Sequence, residues 1–138
     1  DLEPWYDRIR AELKKTGCVR YPTGRLRHLT LAGNDEDKTG DIFRQAVNSP
    51  VQGSASDIVI YSMGELYRII RKKKIPARFM LTVHDSCLLE CWDREDVIEE
   101  LKGYLDLIMK DILPKKFTWL KTPMKVDVSI GKSWDTLK

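Results

Sequence analysis

The sequence predicts an α+β fold in which an antiparallel sheet of three or more strands carries helices on one face. Three observations support this prediction. Apolar residues recur at helical spacing in several segments, and two strand-like runs are joined by a short polar turn. A further segment near the end of the chain alternates apolar and polar residues.

The first elements should be a helix followed by a hairpin. Pro4 suits a first helical turn, and Gly17 should end the helix. The apolar face between them repeats every four residues and consists of Trp5, Ile9 and Leu13. Residues 18–30 then predict a hairpin around Pro22-Thr23-Gly24.

Two helices separated by a break are expected next. The polar stretch 32–40 predicts a loop, and a helix should begin near Asp41. It should be interrupted at Asn48-Ser49-Pro50, because proline lacks a backbone donor and disfavours helix in the preceding residue. A stronger helix is predicted from about Ser54 to about Lys74. Its apolar stripe is formed by Val59, Met63, Leu66 and Ile70.

The second half of the chain predicts a hairpin, a helix and a last strand. Residues 77–83 and 87–92 are strand-like runs on either side of His84-Asp85-Ser86. Asp93 can cap the following helix. The buried face of that helix should consist of Val97, Leu101, Leu105, Ile108 and Ile112. Alternation over 124–130 predicts a half-buried strand.

Composition excludes several classes of protein. The chain is 42% apolar and 33% charged, which is typical of a soluble globular protein and not of a disordered one. No apolar run approaches the roughly 18–20 residues of a membrane helix and no signal peptide opens the chain, so we expect a cytoplasmic location. Cys87 and Cys91 should be reduced thiols on one strand face, with too few further ligands for zinc.

The net charge of +3 is too small to indicate nucleic acid by itself. Basic residues nevertheless cluster at 25–28, 71–74 and 115–116, and clustered Lys and Arg can neutralise phosphates. The run 71–74 ends a helical pattern, where cations also suit the helix dipole, so a solvated helix end explains it more simply.

The tip of the second hairpin is a candidate metal site. The run 79–83 should form a rigid, buried support that presents His84 and Asp85 side by side. Mg²⁺ prefers carboxylate oxygens and usually takes only one or two from the protein. Sites of phosphoryl transfer hold two such ions about 4 Å apart. Taken locally, however, an ordinary turn aspartate and a structural histidine explain the pair more simply.

A second polar segment, from Arg44 to Ile58, suggests contact with DNA. Arg44 and Asn48 lie four residues apart and share a helix face, with Gln52 just beyond the predicted break. Asn and Gln amides can donate to the minor-groove acceptors that every base pair offers, so they could hold paired DNA of any sequence. A plain connection between two helices, capped by a serine, is the alternative.

Taken together, these motifs resemble the C-terminal palm of family A DNA polymerases, the bacterial DNA polymerase I type. The central motif is Arg44-x3-Asn48-x-Pro50-x-Gln52-Gly53-x-Ala55-x-Asp57-Ile58, and Val83-His84-Asp85 follows about 25 residues later. Thr16-Gly17 with Gly24-Arg25-x-Arg27 resembles the family's segment after the fingers. Gly131-Lys132-Ser133-Trp134-Asp135 resembles the family's Gly-x-x-Trp ending. The resemblance covers nearly the whole chain and implies that residues 1–138 are a C-terminal palm segment.

The resemblance also implies roles for individual residues. Asp85 would be one of two carboxylates that bind catalytic Mg²⁺, and His84 would lie near the primer terminus. The residues that would contact primer-template DNA are Arg44, Asn48 and Gln52, together with Arg25 and Arg27 near the template strand. The expected partners are therefore primer-template DNA and a deoxynucleoside triphosphate.

Two departures from the family pattern leave alternatives open. Ser86 stands where these enzymes commonly carry Glu, and His-Asp-Ser is the usual form in single-subunit, phage-type RNA polymerases. The longer Asn-x-Pro-x-Gln-Gly segment favours the DNA enzyme. A relative of those RNA polymerases is one alternative, and a non-catalytic DNA-binding or assembly module derived from a palm is another.

The second departure is the absence of family motifs from these 138 residues. Neither the Asp-x-Ser-x-x-Glu motif with the other metal aspartate nor the fingers motif, Arg-x3-Lys followed by Tyr-Gly, occurs. Thumb and exonuclease are absent as well. We therefore expect the C-terminal part of a DNA-directed DNA polymerase that is inactive as an isolated chain. A companion fragment or chain, as in a phage-encoded split polymerase, would carry the fingers and the other aspartate.

Overall fold

The computed structural model describes residues 1–29 and 36–137. The residues cluster into two units, Asp1–Ile58 and Val59–Lys138. The helices and strands are α1 (Glu3–Thr16), β1 (Cys18–Arg20), β2 (Leu26–His28), α2 (Glu36–Lys73), β3 (Ala77–Val83), β4 (Ser86–Cys91), α3 (Glu95–Leu107) and α4 (Leu113–Lys116). A π-helical turn, Ile108–Ile112, joins α3 to α4, and a 3₁₀ turn covers Trp134–Thr136.

Helix α1 begins and ends as its sequence predicts. A proline occupies its first turn, and Gly17 adopts the left-handed conformation with a φ of 67°. The Gly17 amide donates to the Leu13 carbonyl at 2.8 Å, which closes the last turn. The buried face packs into the core of the first unit, whose members are Ile9, Leu13, Val19, Leu29 and Ala46.

The first hairpin is confirmed, and its turn is short. Strands β1 and β2 pair antiparallel over three residues each. The Tyr21 amide donates to the Arg25 carbonyl and the Gly24 amide donates to the Tyr21 carbonyl, both at 2.8 Å. Gly24 has a φ of 96°, a conformation that a residue with a Cβ rarely adopts. The turn therefore depends on glycine at this position.

The predicted break at Asn48-Ser49-Pro50 is wrong, because α2 runs through it without interruption. A proline inside a helix lacks the hydrogen bond to the carbonyl four residues earlier, here that of Ala46, and its ring crowds that carbonyl, at a cost of about 3 kcal/mol. Ser49 and Pro50 are both buried, so packing on this side of the helix offsets that loss. The Ser49 hydroxyl also donates to the Gln45 carbonyl at 2.5 Å.

The start of α2 corrects a second expectation. The sequence predicts a loop over 32–40, but residues 36–40 form the first turn of the helix. Residues 32–35 lie outside the described part of the chain. At its other end the helix stops at Lys73, within one residue of the prediction, and Lys74 follows with a φ of 57°.

Strands β3 and β4 form the predicted second hairpin, with one irregularity. Phe79 pairs with Leu89 and Leu81 pairs with Leu88, so Met80 is an extra residue in β3. On one face of this ribbon, half-buried side chains cluster: Ala77, Phe79, Cys87, Leu89 and Cys91. The other face bears the cross-strand ion pair between Arg78 and Glu90, 2.5 Å apart.

The prediction that residues 79–83 form a buried support is wrong. Only Phe79 is half-buried, and the next four residues of β3 are exposed. Within the described residues β3 pairs only with β4, so the ribbon lacks the cover that a central place in a larger sheet provides. Strand pairing therefore supports the tip, and burial does not.

The α+β class is confirmed, whereas the single sheet of three or more strands is wrong. The described residues contain two separate sheets of two strands each. The segment 124–130 is not a strand, and its Val128 and Ile130 are exposed. Alternation indicates which side chains would share a face, but it does not supply a partner strand.

The predicted apolar face is present and continues from α3 into the π-helical turn Ile108–Ile112, whereas the predicted cap is wrong. Val97, Leu101 and Ile108 are buried, and Leu105 and Ile112 are half-buried. Arg94, not Asp93, is the N-cap residue. The Arg94 guanidinium donates to the Asp96 carboxylate and lowers the pKa of Asp96. This ion pair links the N-cap residue to the first turn of α3. None of the helices in the described ranges is both long and apolar enough to span a membrane.

Candidate functional site

The tip of the second hairpin is a two-residue turn made by His84 and Asp85. Val83 and Ser86 pair directly across it, and the Ser86 hydroxyl donates to the Val83 carbonyl at 2.8 Å. His84 has a φ of 54°, in the left-handed region, which costs a non-glycine residue about 1–2 kcal/mol. Both tip side chains are exposed. Strand pairing thus holds an imidazole and a carboxylate side by side in a strained, solvent-facing turn.

Asp85 has the chemistry of a metal ligand but supplies only part of a site. It makes no ion pair with any described residue, so its two oxygens can accept a hard cation such as Mg²⁺. The described residues contain no cluster of three or more side chains able to hold a metal ion. The tip alone can therefore supply Mg²⁺ with a single carboxylate ligand.

A polar stripe on α2 brings together the three residues predicted to contact the duplex. Arg44, Asn48 and Gln52 succeed one another at intervals of four and are all exposed. Because the helix is continuous, they lie on one face over about 12 Å, at 1.5 Å per residue. Arg44 forms an ion pair with Asp41, three residues earlier. Pro50 is buried and so faces away from the stripe.

The turn of the first hairpin is bound to α2 by a cluster that the sequence did not reveal. Nη2 of Arg25 forms an ion pair with Oδ1 of Asp57 at 3.0 Å and donates a hydrogen bond to the Gly53 carbonyl at 3.3 Å. The Thr23 hydroxyl donates to Oδ2 of Asp57 at 2.5 Å. The Tyr21 ring lies 4.8 Å from the guanidinium carbon of Arg25. Arg25, predicted to lie near a template strand, is thus also an internal ion-pair partner.

No local signal could have identified Asp57 or Thr23 as members of this cluster, because 34 residues separate them. From the sequence, Gly53 is only one residue of the family motif. The structure gives a reason for it, since a Cβ at this position would lie 2.0 Å from a ring carbon of Tyr21.

The remaining predicted residue of this group, Arg27, is placed differently. It pairs with Val19 across the sheet and its side chain is exposed. Within the described ranges it forms no ion pair, unlike Arg25. Five of the residues predicted to contact DNA lie in the first unit: Arg25, Arg27, Arg44, Asn48 and Gln52. The His84-Asp85 tip belongs to the second unit.

Comparison with known proteins identifies the chain's relatives. The model of the DNA polymerase family A matches residues 1–136. The thermostable DNA polymerase I of Thermus filiformis is 33% identical over 134 residues, which cover 96% of this chain and 15% of that protein. DNA polymerase I of Bacillus subtilis (strain 168) is 36% identical over 124 residues, covering 89% of this chain and 13% of that protein.

A phage protein and a solved structure agree with these matches. The DNA polymerase of Bacillus phage SP01 is 32% identical over 102 residues, covering 73% of this chain and 11% of that protein. The POL domain of Pol1 from M. smegmatis, solved in complex with DNA primer-template and dNTP, superposes with a TM-score of 0.82 at 29% identity. That match covers 96% of this chain and 22% of the solved chain. The chain thus spans less than a quarter of the length of each of these proteins.

Proposed function

We infer a function from one premise: the chain belongs to DNA polymerase family A. We propose that residues 1–138 are the C-terminal palm segment of a DNA-directed DNA polymerase and that Asp85 is one carboxylate of a two-Mg²⁺ nucleotidyl-transfer site. The observation that carries this proposal is the hairpin tip. A two-residue turn between paired strands presents a carboxylate that has no ion-pair partner among the described residues.

The proposed chemistry consists of positioning and charge neutralisation. Bound Mg²⁺ would stabilise the negative charge that develops on the transferred phosphoryl group. Asp85 would hold the ion at a fixed point, because both strand ends at the tip are hydrogen-bonded to each other. His84, next in the same turn, would contact the primer terminus. A misplaced terminus lowers the rate steeply, so a rigid turn suits this task.

The polar stripe on α2 is the proposed contact with the primer-template duplex. The amides of Asn48 and Gln52 can donate to minor-groove acceptors, and the Arg44 guanidinium can bind a phosphate or a base edge. The exposure of all three side chains on one helix face supports this role. Arg27, which is exposed and unpaired among the described residues, is a further phosphate ligand in this proposal.

The second metal carboxylate would come from polymerase sequence outside these 138 residues. It could belong to the same chain or to a companion chain, as in a split polymerase. The complete polymerase consists of these residues together with the sequence that carries the Asp-x-Ser-x-x-Glu and fingers motifs. The proposed partners of that assembly are primer-template DNA and a deoxynucleoside triphosphate.

The test replaces Asp85 with asparagine, which keeps the shape of the side chain and removes its charge. In the complete polymerase, Asp85→Asn should lower the rate of primer extension by about two orders of magnitude or more while DNA affinity changes little. Asp93→Asn is the matched control, since Asp93 is an exposed carboxylate near the end of the same ribbon. Full extension activity in Asp85→Asn would show that the metal assignment is wrong.

The sequence His84-Asp85-Ser86 raises a second candidate, a polymerase that uses ribonucleotides. The Ser86 hydroxyl closes the tip by donating to the Val83 carbonyl, so serine has a structural use here whichever nucleotide is incorporated. Incorporation of ribonucleotides in preference to deoxyribonucleotides would favour the RNA polymerase relative. If a mixture with the missing segments binds DNA but extends no primer, the non-catalytic module is the better description.

A further inference from the structure

We propose that Asp57 is a positioning residue for DNA contact. Together with Thr23 and Tyr21, it fixes the Arg25 guanidinium against the backbone of α2 at Gly53, which adjoins Gln52. Arg25 and Gln52 would then contact the duplex as a preorganised pair. This inference rests on the proposed function, because it requires that the stripe on α2 binds DNA.

Asp57 is used entirely within the protein. Oδ1 forms an ion pair with Nη2 of Arg25 at 3.0 Å, and Oδ2 accepts a hydrogen bond from the Thr23 hydroxyl at 2.5 Å. The Asp57 side chain is only 20% exposed. With both oxygens bound and little surface in water, this carboxylate acts on its neighbours rather than on a ligand.

Arg25 keeps donors available after it has bound Asp57. A guanidinium carries five N–H groups in a fixed plane. The Nη2 group serves both the Asp57 carboxylate and the Gly53 carbonyl, whereas Nε and Nη1 have no partner among the described residues. The Arg25 side chain is 52% exposed. One edge of the guanidinium is therefore anchored while the other can still donate to DNA.

The anchor is rigid because several contacts converge on it. The Tyr21 ring is buried, lies 4.8 Å from the guanidinium carbon and fills the space above Gly53. The backbone bond from the Tyr21 amide to the Arg25 carbonyl fixes the turn that bears the arginine. A long side chain held in one conformation loses less rotamer entropy when DNA binds, so affinity is gained without a new contact.

The Gly53 carbonyl connects this anchor to the proposed DNA contact. Gly53 directly follows Gln52 on α2, and its carbonyl accepts from Arg25 at 3.3 Å. The Arg25 guanidinium is thereby bound to the residue that directly follows Gln52. If the pair binds the same base pair, its two members should discriminate between paired and mismatched primer ends.

The experiment measures equilibrium affinity of the complete polymerase for a matched primer-template and for one with a mismatched terminus. Asp57→Asn should weaken binding of the matched duplex about 5- to 10-fold, with a smaller effect on the mismatched one. In an Arg25→Ala background, Asp57→Asn should have no further effect. Asp7→Asn is the control, because it removes a different acid–arginine pair of the same unit, on the surface of α1.

The outcomes separate this inference from the proposed function. If Gln52→Ala weakens DNA binding and Asp57→Asn does not, the positioning role of Asp57 is wrong and the DNA contact stands. The same conclusion follows if Asp57→Asn still weakens binding in the Arg25→Ala background. If neither variant changes affinity, the DNA contact is wrong as well. Should Asp57→Asn lower the melting temperature, Thr23→Val decides the question, since it removes one Asp57 partner and keeps both charges. It should weaken matched binding in the same direction.

Discussion

The phenol ring of Tyr21 lies so close to the Cα of Gly53 that a Cβ built there would be 2.0 Å from the ring carbon Cε2. Two further ring carbons would lie within 2.7 Å of it. Real Cβ atoms do not approach other carbons so closely, and the ring is buried, so it cannot simply move into solvent. Glycine at this point therefore sets how tightly the first hairpin packs on α2.

We expect Gly53→Ala to destabilise the chain even though alanine is the better helix former. The overlap with Tyr21 should lower the free energy of unfolding by about 1–3 kcal/mol, measured by urea denaturation. In a Tyr21→Val background the same change should cost less, because the ring is absent.

Gly64→Ala is the matched control on the same helix. A Cβ at Gly64 would meet nothing within 4 Å, so alanine should raise stability by about 1 kcal/mol. A gain of similar size in both variants would show that Tyr21 does not restrict position 53.

The strained tip predicts that substitution at position 84 lowers activity without lowering stability. In His84→Gly the left-handed conformation carries no Cβ penalty, so the melting temperature should not fall. Primer extension by the complete polymerase should nevertheless drop about 10-fold or more, because the imidazole is missing. His84→Ala should lose the same activity without the relief of strain. Full activity in both variants would contradict a role for the imidazole.

The end of α2 contains a second residue in the left-handed region. Lys74 has a φ of 57°, and the Ile75 amide donates to the Ile70 carbonyl at 3.0 Å, as in a Schellman motif. Lys74→Gly should raise the free energy of unfolding by about 0.5–1 kcal/mol. Lys74→Ala removes the same charge but keeps the Cβ, so it should give no such gain. Equal stabilities of the two variants would contradict this explanation.

The thiols on the half-buried face of the second hairpin predict a dependence on pH. Burial raises the pKa of Cys87, and burial together with the nearby Asp93 and Glu90 carboxylates raises the pKa of Cys91. Both should react with iodoacetamide more slowly at pH 8 in the folded chain than in urea, as followed by mass spectrometry. Equal rates in the two states would show that the thiols are not protected.

The same shifts fix the sign of the effect on stability. A thiol whose pKa is higher in the folded than in the unfolded state makes its full contribution to the free energy of unfolding below its pKa in the unfolded state, which is about 8.5. That contribution is lost as the pH rises through the raised folded value. The free energy of unfolding should therefore fall above about pH 8.5. The fall should be smaller in Cys87→Ala and Cys91→Ala, which is checked by denaturation at a series of pH values.

Much of the fold follows from local patterns, and two of the errors share one physical cause. Gly17, the apolar face of α1 and the turn at His84 are set by nearby residues, so the sequence predicts them correctly. Pro50 and the segment 124–130 depend on partners distant in the sequence. Packing on the buried side of α2 outweighs the local cost of the proline, and alternation alone does not supply a neighbouring strand for 124–130.

The candidate site divides in the same way. The stripe of Arg44, Asn48 and Gln52 could be predicted because residues four apart share a helix face, and the continuous helix unites them more closely than expected. The link between Thr23 and Asp57 could not, since it depends on the hairpin folding back onto α2. The roles of these residues in DNA contact and metal binding stay predictions.

The extra residue in β3 has a consequence for how this gene can change over time. Because Met80 is accommodated as a bulge, the pairs on the tip side of it, from Leu81–Leu88 to Val83–Ser86, follow one regular register. Loss of the single codon for Met80 would join the two halves of the ladder without exchanging the faces of any other side chain. The ribbon can thus lose this one residue by in-frame deletion while the His84-Asp85 turn is inherited unaltered.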